Sequence, residues 1–391
     1  MKDKKMIGRG QVITCVVFLL VIFGGTMLTL LSKPRQYSER ERRYLQMRPE
    51  LTKESLYSGE FAVKYEEYLT DQFVGRDTFI MLKTSLERMV GRQDNNGIYF
   101  GKDGYLIEKI EEKDIDPEQW EKNKQWIVQF LGKYESILGE DHVRALLAPT
   151  SNYVLQDKLP PFASAYNQEM INQTIEKDLS EKVSEETAKS LLVDVNQTLR
   201  DKSGEYIYYR TDHHWTSLGA YYAYVQWAKS VGLQPKEQSE YEQIVGTSDF
   251  YGTFYNKVGV AEIKDKITLF DDKETYQVTI NMGEKVMDSL FDYGQLTGDD
   301  PYSVFLGGNN AFVEITSSQT NGKRLLVVKD SYAHTLVPLL AHHFEEVVLV
   351  DLRYLNMKLE DLVEQYEITD LLLLYNDSTV MSDKNLVKLV K

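Results

Sequence analysis

Cysteine is almost absent from this 391-residue chain: Cys15 is the only one, and it sits inside an apolar run. The rest of the chain can form no intramolecular disulfide, and it has no thiolate for metal binding or nucleophilic attack. A cysteine-free body is compatible with an oxidising exterior. Positive charge is also in short supply, at 45 Lys and Arg against 60 Asp and Glu, for a net −15. Residues 1–43 alone are +6, with nine basic and three acidic side chains, which leaves −21 on the remainder. Such a body argues against nucleic acid and against broad contact with anionic lipid, and an anionic polymer would have to be held locally. Low-complexity tracts and internal repeats are missing. The six histidines show no H-E-x-x-H or similar ligand spacing, so no metal and no cofactor are expected.

Against these absences stands one long hydrophobic run. Val12–Leu31 is 20 residues without a charge, about the length that crosses the hydrocarbon core as a helix. A basic start (Lys2, Lys4, Lys5, Arg9) suits an anchor or a cleaved signal. The run is longer than a usual signal core, and no clean small-x-small site follows it, so an anchor is the expectation. Lys33, Arg35, Arg40, Arg42 and Arg43 on the far side, partly offset by Glu39 and Glu41, leave the positive-inside rule a weak guide to orientation.

Beyond the anchor, apolar residues at helical spacing (Phe61, Tyr65, Tyr68, Leu69) predict helices, broken by "DQFVGRD" at 71–77. Asn96-Gly97 and Asp103-Gly104 flank short strands at Ile98–Phe100 and Tyr105–Ile107, a small hairpin. Then strands alternate with helices. Helices are predicted at Glu118–Gly139, at Thr187–Leu192 (the end of one) and at Ser217–Val231. Strands are predicted at His142–Leu147, Leu191–Val195 and "EYIYYR" (205–210). Arg324–Val328, Glu346–Asp351 and Asp370–Tyr375 are apolar on both faces, as buried parallel strands should be. The pattern predicts an α/β fold: a doubly wound, mainly parallel sheet with sites at the carboxyl ends of its strands. Residues 240–320 interrupt it as a small insertion, with a β excursion at Lys266–Met282. The expected layout is a cytoplasmic 1–11, an anchor at 12–31, a helical linker and hairpin over 32–110, and the α/β domain from 111 to 391.

Three stretches can carry chemistry. In "TDHHW" (211–215), Asp212 and His214 are two apart after a predicted strand, so both should project to one side and His213 to the other. A carboxylate beside an imidazole fixes its tautomer and stabilises the imidazolium. A polar helix entrance with incidental histidines is the plain alternative. In "RLLVVKDSYAH" (324–334), Ser331 is read as opening a helix, with its own N–H and that of Tyr332 free for an oxyanion. Taken alone, an ordinary helix cap explains it better. In "VFLGGNNAF" (304–312), Gly307-Gly308 permits close backbone approach, or simply marks a turn.

Together these pieces resemble the DHHW family, which is similar to the alginate O-acetyltransferases of the SGNH/GDSL hydrolase superfamily. "DQFVGRD", "GIYFGKDGYLIE", Asp-x-His-Trp and a late strand ending in Asp-Ser carry the resemblance, from about residue 38 onward. It implies an SGNH-like fold, with Ser331 as nucleophile, His214 as base and Asp212 as orienting acid. Gly308 and Asn309 become candidate oxyanion donors. The motif order is reversed relative to most of the superfamily, and the spacing is Asp-x-His rather than Asp-x-x-His. The implied activity is O-acyl transfer, acetyl in the first instance, to an envelope polysaccharide outside the cytoplasm by a single-pass membrane protein. A multi-pass membrane O-acyltransferase is the implied acyl donor. An esterase with the same residues, a non-catalytic glycan-binding scaffold and, last, a metal-dependent hydrolase are the competing readings.

Overall fold

The computed structural model describes residues 9–38 and 43–391; Lys2, Lys4, Lys5 and Glu39–Arg42 lie outside the described residues. The chain divides into two compact units, Met1–Arg92 with Asn256–Val260, and Gln93–Tyr255 with Ala261–Lys391.

The smaller unit holds α1 (Arg9–Leu31), α2 (Glu60–Asp71) and α3 (Arg76–Met89). α1 is long and apolar enough to cross a membrane, and none of it is buried against the protein. Between α2 and α3 the chain turns at Gly75, which adopts φ 76°, a left-handed value that glycine takes without a Cβ clash.

The larger unit begins with the hairpin strands β1 (Ile98–Phe100) and β2 (Leu106–Glu108). α4 (Pro117–Leu138) follows. Asp116 caps it by accepting from the Glu118 and Gln119 amides, and Pro117 occupies its first turn, where no N–H is needed. Next come β3 (Val143–Ala148), α5 (Ser217–Ser230), and the antiparallel pair β4 (Glu242–Phe250) and β5 (Asp265–Asp271). The chain continues through β6 (Tyr276–Ile280), β7 (Lys285–Met287), β8 (Phe312–Ser317) and β9 (Arg324–Lys329). It closes with α6 (Ala333–Leu340), β10 (Glu346–Val350), α7 (Leu359–Gln365) and β11 (Asp370–Asn376).

Seven strands form one sheet in the order β7-β6-β8-β10-β9-β11-β3. β10, β9, β11 and β3 are parallel neighbours, with Val328 opposite Val350 and Leu373. Their side chains alternate between two cores. Leu325, Val327, Leu372 and Leu374 face Trp215, Ala220, Tyr224 and Leu336, from α6, α5 and the segment before it. Leu326, Val328, Leu371 and Leu373 face Ile127, Phe130 and Leu131 of α4 and Leu362 of α7. Both faces are covered, which is why these strands read as unbroken apolar runs.

The sheet is nonetheless mixed rather than mainly parallel, because β8, β6 and β7 join antiparallel to β10 and to each other. The 240–320 segment is therefore only partly an insertion. β4 and β5 stand apart, but the end of the predicted excursion feeds the main sheet through β6. Two predicted strands are not strands. Leu191–Val195 contributes an isolated bridge from Leu192 to Ala145 beside β3. "EYIYYR" pairs with its own sequel, Tyr209 N donating to His214 O and Thr216 N to Ile207 O. Tyr208 and Tyr209 read as strand residues because they are buried, and burial is much of what β-propensity measures.

Candidate functional site

β9 ends at Lys329, and the next three residues form a tightly braced turn. Asp330, 2% exposed, accepts from Tyr332 N at 2.9 Å and, through its other oxygen, from Asn376 N at 2.8 Å and Asn376 Nδ2 at 2.6 Å. It thus clamps the ends of two adjacent parallel strands. Burial raises its pKa, while these donors and nearby Arg353 and Lys329 hold it down. Ser331 is presented between Asp330 and α6, whose first helical residue is Ala333.

The 211–215 segment reaches the same place from the helix side of the sheet. Asp265 of β5 holds its start, accepting from Arg210 N at 2.8 Å and Thr211 N at 2.7 Å. Trp215 Nε1 donates to Tyr332 O at 3.0 Å, tying the two segments directly. Asp212 Oδ1 then lies 2.5 Å from His214 Nδ1, and His214 Nε2 lies 2.7 Å from Ser331 Oγ. The His214 amide also donates to Asp212 Oδ1 at 3.0 Å, and Thr253 N donates to Oδ2 at 2.7 Å. Asp212 and His214 are 1% and 4% exposed.

The proton positions follow from chemistry. Burial, the largest influence on Asp212, raises its pKa, but His213, His214 and the Thr253 amide outweigh it and hold the group well below the usual carboxylate range. An ionised carboxylate only accepts, so His214 Nδ1 must carry a hydrogen. In the neutral imidazole Nε2 is then bare and able to accept the Ser331 hydroxyl proton. The three residues form one directional hydrogen-bond chain.

His213 does not face away. Its ring lies 3.8 Å from that of His214, centroid to centroid, and its Nδ1 is 2.7 Å from Thr253 Oγ1. The alternation expected of extended chain fails because 211–214 is a bend, not a strand. Burial and the neighbouring His214 push the pKa of His213 down to about 4, against the pull of Asp212. Asp212, His213 and His214 offer ligand atoms within 4.8 Å of one another, a grouping suited to a metal ion. Those same atoms are already matched: Asp212 to His214 and Thr253, His213 to Thr253.

The oxyanion expectations fare differently. The Tyr332 amide is committed to Asp330, so it is not free for a ligand. The Ser331 amide makes no hydrogen bond among the described residues. The Gly308 amide donates to Phe305 O at 3.1 Å, and Asn309 Oδ1 accepts from Arg353 at 3.2 Å. Neither is hydrogen-bonded to Ser331 or His214. Leu306, Gly307 and Gly308 all have positive φ, and Asn310 Nδ2 caps their carbonyls at 3.2–3.4 Å, which is the economy of a tight turn.

Three features escaped the sequence reading. Tyr302 stacks on His214 at 3.8 Å and 11°, and its hydroxyl donates to Ser331 O at 3.1 Å. Gly252 packs on Asp212 so closely that a Cβ there would be 2.2 Å from Asp212 Cβ and 2.3 Å from Oδ2. Behind the serine turn, buried Lys329 lies 2.8 Å from His334 Nε2 and 3.5 Å from Asp351, which Arg353 grips through two nitrogens. The glycine within "FYGTFYN" (250–256) was a usable signal; nothing marks Tyr302 among 26 tyrosines.

Solved structures similar to this chain include two with TM-scores above 0.5, which share its fold. A DHHW family protein from Eubacterium siraeum superposes with a TM-score of 0.59 at 23% identity, over 76% of this chain and 95% of that one. Bacillus cereus PatB1, solved with a sulfonyl adduct, gives 0.59 at 19% identity, over 74% and 97%. The O-acetyltransferase domain of Pseudomonas putida AlgJ gives 0.44 at 12% identity, over 75% and 98%. No curated protein matches by sequence. Residues 161–350, which contain Asp212, His214 and Ser331, match the family described as DHHW protein, so the resemblance read from "TDHHW" holds for this chain.

Proposed function

We propose that the chain is a membrane-anchored O-acyltransferase that moves an acyl group, acetyl in the first instance, onto a hydroxyl of an envelope polysaccharide. The observation that carries this reading is the buried, directional chain Asp212–His214–Ser331 at the carboxyl end of a parallel strand. Ser331 Oγ attacks the acyl carbonyl as its proton passes to His214 Nε2. The tetrahedral intermediate collapses, and the leaving group takes that proton, which leaves an acyl-serine. A sugar hydroxyl then gives its proton to His214 and attacks the ester, and His214 passes that proton to Ser331 Oγ as the ester bond to the serine breaks. Asp212 stays ionised throughout and stabilises each imidazolium. The free Ser331 amide is an oxyanion donor in this scheme. α1 is read as the anchor, with the larger unit outside the cytoplasm and a multi-pass membrane O-acyltransferase as acyl donor. With water as acceptor, the same residues make an esterase. The 2.7 Å Ser331–His214 contact favours catalysis over a purely scaffolding role.

A sulfonyl fluoride or fluorophosphonate probe on the full chain tests the reading. Wild type should be labelled and Ser331→Ala and His214→Ala should not. In acetyl-ester turnover the double variant should lose little more than either single one, since the residues act as a unit. Equal turnover in wild type and folded Ser331→Ala sinks the mechanism. Acetate released in place of acetylated glycan, with acceptor present, makes the protein an esterase.

A further inference from the structure

The smaller unit carries an apolar surface that the described residues leave uncovered. Phe79, Leu82, Leu86 and Met89 of α3, with Val90 just after it, are 50–86% exposed. Their spacing of three, four, three and one residues makes a single stripe along the helix, while Thr84 on the opposite face is buried. A helix of a soluble protein turns such a stripe inward.

Contacts within the same unit identify what covers it. Phe73, in the turn before α3, lies against α1: a Cβ at Gly25 would be 3.2 Å from Phe73 Cζ. Val74 N donates to Thr29 Oγ1 at 3.1 Å. Gly25 is six residues before the end of α1 at Leu31, about 9 Å at the rise of an α-helix. If Leu31 marks the edge of the hydrocarbon, Phe73 sits inside it, and α3 starts three residues later. A recess of about 480 Å³ opens beside it, apolar at Leu69, Phe73, Phe79 and Ile80 and rimmed by Thr70, Arg76 and Lys83.

We propose that α3 is an interfacial helix, lying on the leaflet in which α1 ends, with its Phe79–Val90 stripe in the lipid. This rests on reading α1 as a membrane span. The occupant is the bilayer that α1 crosses, because the turn leading into α3 is bonded to the span itself. α3 ends shortly before the larger unit begins at Gln93, so the stripe fixes where the chain leaves the membrane surface. Binding through this stripe is hydrophobic and needs no positive field, which suits an acidic protein.

Spin labels on the full chain in phosphatidylcholine–phosphatidylglycerol vesicles test this. In a Cys15→Ser background, single cysteines replace Leu20 in α1, Leu86 on the stripe and the exposed Lys273 of the larger unit. The expected result is that oxygen collisions dominate at Leu20→Cys and Leu86→Cys, while a water-soluble nickel chelate dominates at Lys273→Cys. A chelate-dominated Leu86→Cys with a lipid-exposed Leu20→Cys overturns the interfacial helix and leaves the span standing. A Leu86→Cys label shielded from both agents means that protein covers the stripe, which also overturns the proposal. A water-exposed Leu20→Cys removes the span, and the proposal with it.

Discussion

Replacing Gly252 by alanine should disable the site without touching any residue that does chemistry. Gly252 has no positive φ, so alanine is conformationally acceptable there and the effect is purely steric. The new Cβ would stand 2.2 Å from Asp212 Cβ and 2.3 Å from its Oδ2. Relief to ordinary contact requires a movement of about 1.3–1.8 Å. The Asp212 side chain is held between His214 and the Thr253 amide, so any relief by its movement comes out of those two bonds. Displacing a reacting group by about 1 Å costs ~10²-fold, and an aspartate that no longer orients its histidine costs ~10⁴-fold. The expected loss in kcat is therefore between about 10² and 10⁴, or roughly 3–5.5 kcal/mol of transition-state stabilisation. Overpacking should cost only about 1–3 kcal/mol of stability. Acetyl-ester kinetics and urea unfolding, run on the same preparation, separate the two. KM should change little, because the carboxylate meets no substrate. A folded Gly252→Ala protein with wild-type kcat would refute the claim that Asp212 must stay where it is.

The remaining predictions concern Tyr302 and His342. Tyr302→Phe keeps the ring on His214 and loses only the hydrogen bond to Ser331 O, so its cost should be about 1 kcal/mol, or several-fold in kcat, whereas Tyr302→Ala also empties a buried site and should lose about 3–5 kcal/mol of stability. Equal kinetics for the two variants would mean that the stacking is incidental. His342, 8% exposed, has its pKa pushed down to about 2 by burial, by His343 and by Lys236. The unfolded chain takes up this proton as pH falls through about 6.5, and the fold does not, so stability is lost on acidification. Between pH 6.5 and 5, wild type should lose about 1.5 kcal/mol more than His342→Gln in denaturant titrations. Identical losses would mean that His342 is protonated in the fold.

Much of the fold was legible because buried parallel strands announce themselves. The runs of β9, β10 and β11 are apolar on both faces, and the structure pairs them as neighbours. Period and length also placed α4 and α5 to within a residue or so. The antiparallel half of the sheet was not legible. β6 and β8 alternate buried and exposed residues like any half-covered strand, and nothing local says which edge they join. Local alternation also misled at 205–214, where aromatic burial imitated a strand and the bend brought His213 to the side of His214.

Residue types and motif spacing were enough to nominate Asp212, His214 and Ser331, since a base, an acid and a nucleophile after apolar segments are a chemical pattern in one dimension. Their meeting across 117 residues was decided by the tertiary structure, through the clamp of Asp330 on Asn376 and the bond from Trp215 to Tyr332. Gly252 and Tyr302 belong wholly to that level. A glycine is needed where the backbone is pressed against a buried side chain, and a tyrosine matters where its ring covers another. Both are facts of packing, which is set by all the elements at once and written in no single stretch of chain.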